Sequence, residues 1–183
     1  MINDASLLDK LRDPSTRHYG FNLLVRKYQQ KIYWHLRKMV IDHDDADDLT
    51  QETFIKVFRH IDTFREGSQL FTWIYRIATN ECLSFLQKKK RRFFLPLGDL
   101  TNELLYKLDH SPYISGDEIQ KSLYRALLEL PEKQRLVFNM KYFDNMSYED
   151  IAAITGTSVG ALKASYHHAV KKVGQFVSEK LNH

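Results

Sequence analysis

Residues 70–92 read LFTWIYRIATNECLSFLQKKKRR. Phe71, Ile74, Ala78, Cys82 and Phe85 recur at three- and four-residue steps, which predicts a helix with one apolar seam turned to a core. Trp73, Arg76, Asn80, Ser84 and Gln87 fall on the opposite side, and the helix runs out into Lys88, Lys89, Lys90, Arg91 and Arg92. Cations neutralise phosphates, an amide reads base edges, and a large aromatic stacks on an unpaired base. The line reads as a surface for opened DNA. The plainer alternative is a solvated amphipathic helix with a basic tail, Trp73 capping the rim of the core.

The rest of the chain is also helical in pattern. Its 183 residues suffice for one large or two small domains, and few glycines or prolines interrupt them. A net charge of +4 mildly favours an anionic partner. Cys82 is the single cysteine, which excludes an intrachain disulfide or a thiolate metal cluster and suits a reducing compartment. The opening MINDASLLDKLRDP is neither a signal nor a transit peptide, and no apolar run approaches bilayer length, so a cytoplasmic chain without membrane insertion is expected.

Residues 1–14 predict one marginal helix on Leu7, Leu8 and Leu11, stopped near Pro14. From Thr16 to Val40 a long helix places Phe21, Leu24, Tyr28, Ile32, His35, Leu36 and Met39 on one side, with Arg26, Lys27, Lys31, Arg37 and Lys38 on the wet one. Asp42–Ile61 predicts a further helix, capped by Asp44 or Asp45, which buries Ala46, Leu49, Thr53 and Val57. Asp48, Gln51, Glu52 and Ile55 share another face, an acidic and amide-bearing stripe suited to a basic helical partner. A metal loop would interleave acids with glycine and end in a fixed glutamate, and Asp42–Asp48 does neither, so no metal or other cofactor is expected. Residues 62–69, DTFREGSQ, read either as a wall of a pocket beside Trp73 and Asn80 or as a plain connection.

Between residues 93 and 118 prolines and glycines punctuate an acidic stretch, predicted to be an interdomain linker with one short helix near Leu104–Leu108. The C-terminal module carries the clearest local signature, SYEDIAAITGTSVGALKASYHHAVKKV. Ser147 and Asp150 have capping-box spacing, Gly156–Thr157 turns the chain, and Ser158 caps a helix burying Val159, Leu162, Tyr166, Ala169 and Val173. Its other side shows Lys163, Ala164, His167, His168, Lys171 and Lys172. Two helices joined by a short glycine-containing turn make a helix-turn-helix, whose second helix enters the major groove.

Three stretches, DADDLTQETFIKVF, FREGSQLFTWIYRIATNECLSFLQKKKRR and LPEKQRLVFNMKYFDNMSYEDIAAITGTSVGALKASYHHAVKKV, resemble in order and spacing the extracytoplasmic-function class of bacterial RNA polymerase sigma factors. The ending ALKASYHHAVKK looks most like versions found in Bacteroidetes. The resemblance implies an all-α fold of two small domains joined by a flexible linker: 15–92 for polymerase binding and minus-ten recognition and melting, 93–118 as linker, and 119–183 as the minus-thirty-five reader. It implies a promoter-directing factor and no enzyme.

By the same resemblance, Asp45, Asp48, Gln51, Glu52 and Ile55 would grip the β′ coiled coil of core RNA polymerase. Phe64, Arg65, Ser68, Trp73, Arg76, Asn80, Ser84, Gln87, Lys88 and Arg91 would hold minus-ten promoter DNA. Ser158, Lys163, Ala164, His167, His168 and Lys171 would meet the minus-thirty-five element, with the preceding helices on the β flap. The linker would thread the RNA path, its acids mimicking a transcript. The free protein would be a monomer controlled by a separate anti-sigma factor. Relatives often carry serine then arginine where Ala164 and Ser165 stand, and arginine at His168, which implies fewer or pH-sensitive base and phosphate contacts.

Overall fold

α2 (Arg17–Val40), α3 (His43–His60) and α4 (Leu70–Arg92) pack on one another and form the N-terminal half. This computed structural model describes residues 3–65, 67, 69–92, 99–110 and 118–181, and among these the regular structure is entirely helical. α1 (Asp4–Arg12) buries Leu7, Leu8 and Leu11 against α2. The close approach needs Gly20, where a Cβ would sit 3.0 Å from Lys10. Asp4 then accepts from Lys27 at 2.6 Å and from the Tyr28 hydroxyl at 2.7 Å.

Between α2 and α3 the chain turns at Ile41, a fully buried residue at φ 64°. A β-branched side chain is strained there, and burial of that side chain offsets the cost. The cap of α3 is Asp42, whose carboxylate accepts from the Asp45 amide at 3.0 Å, and not the expected Asp44 or Asp45. Those two occupy the first turn, where their charge meets the positive end of the helix dipole.

The linker region contains more structure than its composition suggests. α5 (Asp99–Asp109) is longer than the expected helix near Leu104–Leu108, and Leu100, Leu104 and Leu108 are buried in the same core as α1–α4. Lys107 bonds Asp42 at 3.1 Å and Asp45 at 3.3 Å, which ties α5 to the start of α3. Residues 93–98 and 111–117 lie outside the described residues.

The C-terminal half comprises α6 (Glu118–Leu128), α7 (Glu132–Phe138), one π-helical turn (Asn139–Phe143), α8 (Tyr148–Thr155) and α9 (Val159–Leu181). Ala126, Leu127, Leu130, Phe138, Ala169 and Val173 form its own cluster. Leu136, Val137, Met140, Ile151, Ile154 and Leu162 instead join the core of the N-terminal half, and α8 packs on α4.

That packing corrects two expectations. Arg37 and Lys38, assigned to the wet side of α2, are 4% and 9% exposed, because the π turn and its neighbours lie over them. The buried stripe of α4 is also wider than the predicted seam. Tyr75, Thr79 and Leu86 are buried beside Ile74, Ala78 and Cys82, while Phe71 and Phe85 are only half-buried.

Leu104→Ala separates a docked α5 from a free tether. Urea unfolding should show a loss of about 2–5 kcal/mol, whereas a solvated linker helix would lose almost nothing.

Candidate nucleic-acid interface

α4 presents one open strip between two buried flanks. Arg76, Asn80, Ser84, Gln87, Lys88 and Arg91 are all exposed along it. At its N-terminal end Trp73 is half-buried, its ring 5.4 Å from that of Phe64. Phe64 itself is 5% exposed, so it supports Trp73 from beneath and offers no free face to a base, contrary to its expected contact role. Arg65 is exposed, and Ser68 lies outside the described residues. A cleft of about 480 Å³ opens beside this end, lined by Phe64, Gln69 and Leu70 and by Asp4 and Asp9 of α1.

The basic tail is less free than its sequence suggests. Lys89 bonds Asp45 at 3.1 Å and Glu103 at 2.9 Å, and Lys90 bonds Glu132 at 2.6 Å. Five consecutive cations would repel one another, and these carboxylates from α3, α5 and α7 relieve that repulsion.

On α3, Asp48, Gln51 and Ile55 are exposed and Glu52 is half-buried, one helical face of acid, amide and aliphatic groups. Beside them an apolar groove of about 400 Å³ runs between Phe21 and Val25 of α2 and Phe54, Ile55 and Phe58 of α3. Asp45, assigned to the same face, is instead held by Lys89 and Lys107.

The helix-turn-helix forms from local signals. Ser147 accepts from the Asp150 amide at 3.0 Å and donates its hydroxyl to the Asp150 carboxylate at 2.6 Å. Aspartate is one methylene shorter than the usual glutamate of a capping box, so it meets the capping hydroxyl. Gly156 closes α8 at φ 70°, the left-handed conformation that favours glycine. Ser158, Lys163, Ala164, His167, His168 and Lys171 are all exposed on or before α9. Sequence periodicity did not single out Tyr148. Its ring lies 4.9 Å from the Lys141 ammonium and 5.7 Å from that of Lys163, so it steadies one of the assigned DNA-contacting cations.

A polar seam runs where the two halves meet. Asp144, just past the π turn, accepts from Lys38 in a short ion pair, and its other oxygen lies 3.5 Å from His35 Nδ1. His35 is fully buried, its Nε2 3.0 Å from Thr79 Oγ1 on α4. Burial opposes ionisation of Asp144, yet hydrogen bonding and charge from His35 and Lys38 outweigh it and hold the carboxyl below its usual range. Nearby, burial pushes the Cys82 thiol up to about 12, which leaves it protonated and unreactive at neutral pH.

Comparison with known proteins places these modules. Residues 24–92 match the family model Sigma-70 region 2, and residues 120–173 match Sigma-70, region 4. The RNA polymerase sigma-H factor of Pseudomonas aeruginosa is 34% identical over 91% of this chain and 89% of its own length. The ECF RNA polymerase sigma-E factor of Escherichia coli K12 is 30% identical over 92% of this chain and 91% of its own. Among solved structures, CnrH in complex with the cytosolic domain of CnrY shares the fold at TM-score 0.69 and 22% identity, over 96% of this chain and 97% of CnrH. The sigma factor RpoE, in complex with the anti-sigma factor NepR from Bartonella quintana, matches at TM-score 0.67 and 23% identity, over 86% of this chain and 96% of its own.

Tyr148→Ala should weaken duplex DNA binding by about two- to fivefold, the size of an exposed cation–π contact, and Tyr148→Phe should leave it unchanged. Fluorescence anisotropy at fixed salt decides, and equal affinities for all three chains would remove the positioning role of the ring.

Proposed function

The chain belongs to the extracytoplasmic-function class of RNA polymerase sigma factors, and from that premise we propose which of its surfaces meets which partner. As a sigma factor it directs promoter-specific transcription initiation. The bond-forming chemistry of that process resides in polymerase, and this chain contributes promoter choice and melting.

Residues 15–92 act as the unit that binds core polymerase and opens the minus-ten element, and 119–183 as the reader of the minus-thirty-five element. The exposed face of Asp48, Gln51, Glu52 and Ile55 docks the β′ coiled coil, with Asp45 joining it once its intrachain lysines are displaced. The strip from Trp73 to Arg91 holds the displaced strand. Extruding a base costs a few kcal/mol, and stacking returns roughly 1–3 kcal/mol per base. Lys163, His167, His168 and Lys171 face the upstream major groove, and the α6–α7 side meets the β flap. The linker, with its acids on α5, serves the RNA path. An anti-sigma factor controls the free protein, and its working compartment is the cytoplasm. The ending ALKASYHHAVKK supports a reading of the chain as a Bacteroidetes-like version of the class.

One observation carries this assignment more than any other. Two separate helices, α4 and α9, each leave polar and cationic side chains exposed opposite a buried stripe. A stand-alone helix-turn-helix regulator would need only the second.

Run-off transcription with reconstituted core polymerase tests the whole assignment, and failure to confer start-site selection would end it. The double variant Asp48→Arg/Glu52→Arg should lose core polymerase in a pull-down. Asn80→Ala should keep polymerase binding but lose open complexes in permanganate footprinting, and loss of both would remove the melting role. Lys163→Ala should weaken upstream binding and lower its salt slope by about 1, and an unchanged footprint would remove that contact.

A further inference from the structure

The stretch that leaves α3 for the start of α4 has little packing of its own. Ile61 and Phe64 are buried, whereas Asp62, Thr63, Arg65, Gly67 and Gln69 are exposed. The cleft lined by Phe64 and Gln69 leaves the side facing α1 open. A loop with so few buried contacts keeps one conformation only where specific ties hold it.

One such tie comes from the first residue of α2. Arg17 donates Nη1 to Asp62 Oδ1 at 3.1 Å and Nη2 to Asp62 Oδ2 at 2.8 Å, a two-pronged grip on the carboxylate. Nη2 also reaches the Phe58 carbonyl at 3.3 Å, in the last turn of α3, where a cation suits the helix dipole. The guanidinium lies 5.3 Å from the centre of the Phe58 ring, and His18 stacks on that ring at 5.6 Å. Beside it, the Thr63 hydroxyl donates to the His60 carbonyl at 2.7 Å and the Phe64 amide to the Ile61 carbonyl at 3.1 Å. Together these bonds set the direction in which the chain leaves α3.

Arg17 does nothing for its own helix. A cation at the positive end of a helix is locally unfavourable, and no acid stands in the first turn of α2 to offset it. Stability does not explain the pair either, because Asp62 is 60% exposed and a surface ion pair adds little. What the converging bonds on carboxylate, carbonyl and ring do supply is geometry.

We propose that Arg17 is a positioning residue for base capture: by joining Asp62 to the end of α3 it holds loop 62–69 in the arrangement that receives an extruded minus-ten base. The proposal rests on the sigma-factor assignment above. Only chains whose loop is already in place capture a base, so apparent affinity falls with that fraction. Arg17 acts through Asp62 and touches no DNA itself.

Two measurements on the full chain test it. In the first, a nitroxide on Gly67→Cys reports loop motion in the free protein, since position 67 has open space for a side chain and the buried Cys82 does not compete for the label. Arg17→Ala and Asp62→Ala should each sharpen the spectral line, and Arg17→Asp/Asp62→Arg should restore most of the parent's breadth. In the second, fluorescence anisotropy follows a labelled single strand carrying the minus-ten element of a promoter that run-off transcription assigns to this chain. Each alanine variant should bind about fivefold more weakly, the double alanine variant no more weakly still, and the swapped pair should recover most of the loss. Core polymerase binding in a pull-down should be unchanged throughout, and the salt slope of Arg17→Ala should equal the parent's. A slope lower by about 0.7, with binding kept or tightened in Asp62→Ala, would make Arg17 a phosphate contact and overturn the positioning role. Unmoved spectral lines, a swapped pair no better than the single variants, or a matching loss of polymerase binding would overturn it as well. If Arg17→Ala loses helix by circular dichroism, Arg17→Gln takes its place under the same criteria. If the parent binds neither core polymerase nor the strand, the sigma-factor assignment falls, while the line shapes of the free chain still decide whether Arg17 holds the loop.

Discussion

The structure depends on burying α4 along two flanks at once. Ile74, Ala78, Cys82 and Leu86 are essentially without solvent contact, α2 and α3 pack on the helix, and α8 covers a second flank. Only the strip through Arg76, Asn80, Ser84 and Gln87 is left over. A helix with that much packed surface cannot roll or fray in its middle, so the strip keeps a fixed spacing of side chains. Melting a duplex needs such a preset row, because a base is captured only if stacking and edge contacts are waiting where it emerges. Core and site are thus two sides of one helix.

Much of this was legible in the sequence, and for identifiable reasons. Helical periodicity located the seam of α4, the row Ala46, Leu49, Thr53 and Val57 of α3, and the helix-turn-helix with its Ser147 and Gly156 signals. Those are local patterns, set within a turn or two of chain. What the sequence hid was long-range. Lys38 looks like any solvated lysine on the polar face of α2, and nothing near it announces a carboxylate at position 144. α5 was hard to see because its stretch is acidic and broken by prolines, although Leu100, Leu104 and Leu108 step at helical spacing. The burial of Phe64 is not legible in the sequence, because an aromatic beside a pocket reads alike whether it lines the wall or supports it.

The seam between the halves shows what kind of contact it is. Replacing a buried ion pair with apolar groups of similar volume is often neutral or stabilising, so the Lys38–Asp144 pair adds little net stability to the contact between the halves. The two do define one geometry, since misplacing Asp144 or Lys38 strands a charge away from water. The apolar part of the same contact, Leu136, Val137, Ile151 and Leu162 against α4 and its neighbours, supplies the attraction. A joint that is apolar beneath and ionic at the seam closes in one register.

The same reasoning extends to the basic tail of α4. Lys89 and Lys90 bond carboxylates of this chain and lie between Lys88 and Arg91, the two cations of this tail expected to meet DNA. A phosphate offers the same charge-assisted hydrogen bonds as a carboxylate, so the two compete for one set of cations. Polymer electrolyte effects favour the duplex at low salt, because each cation that reaches a phosphate also releases a condensed counterion. Intrachain pairs at partly buried positions are screened far less by salt. Rising ionic strength therefore tips the partly buried Lys89 towards Glu103, and DNA binding by the free chain should weaken with salt more steeply than its exposed cations alone would dictate.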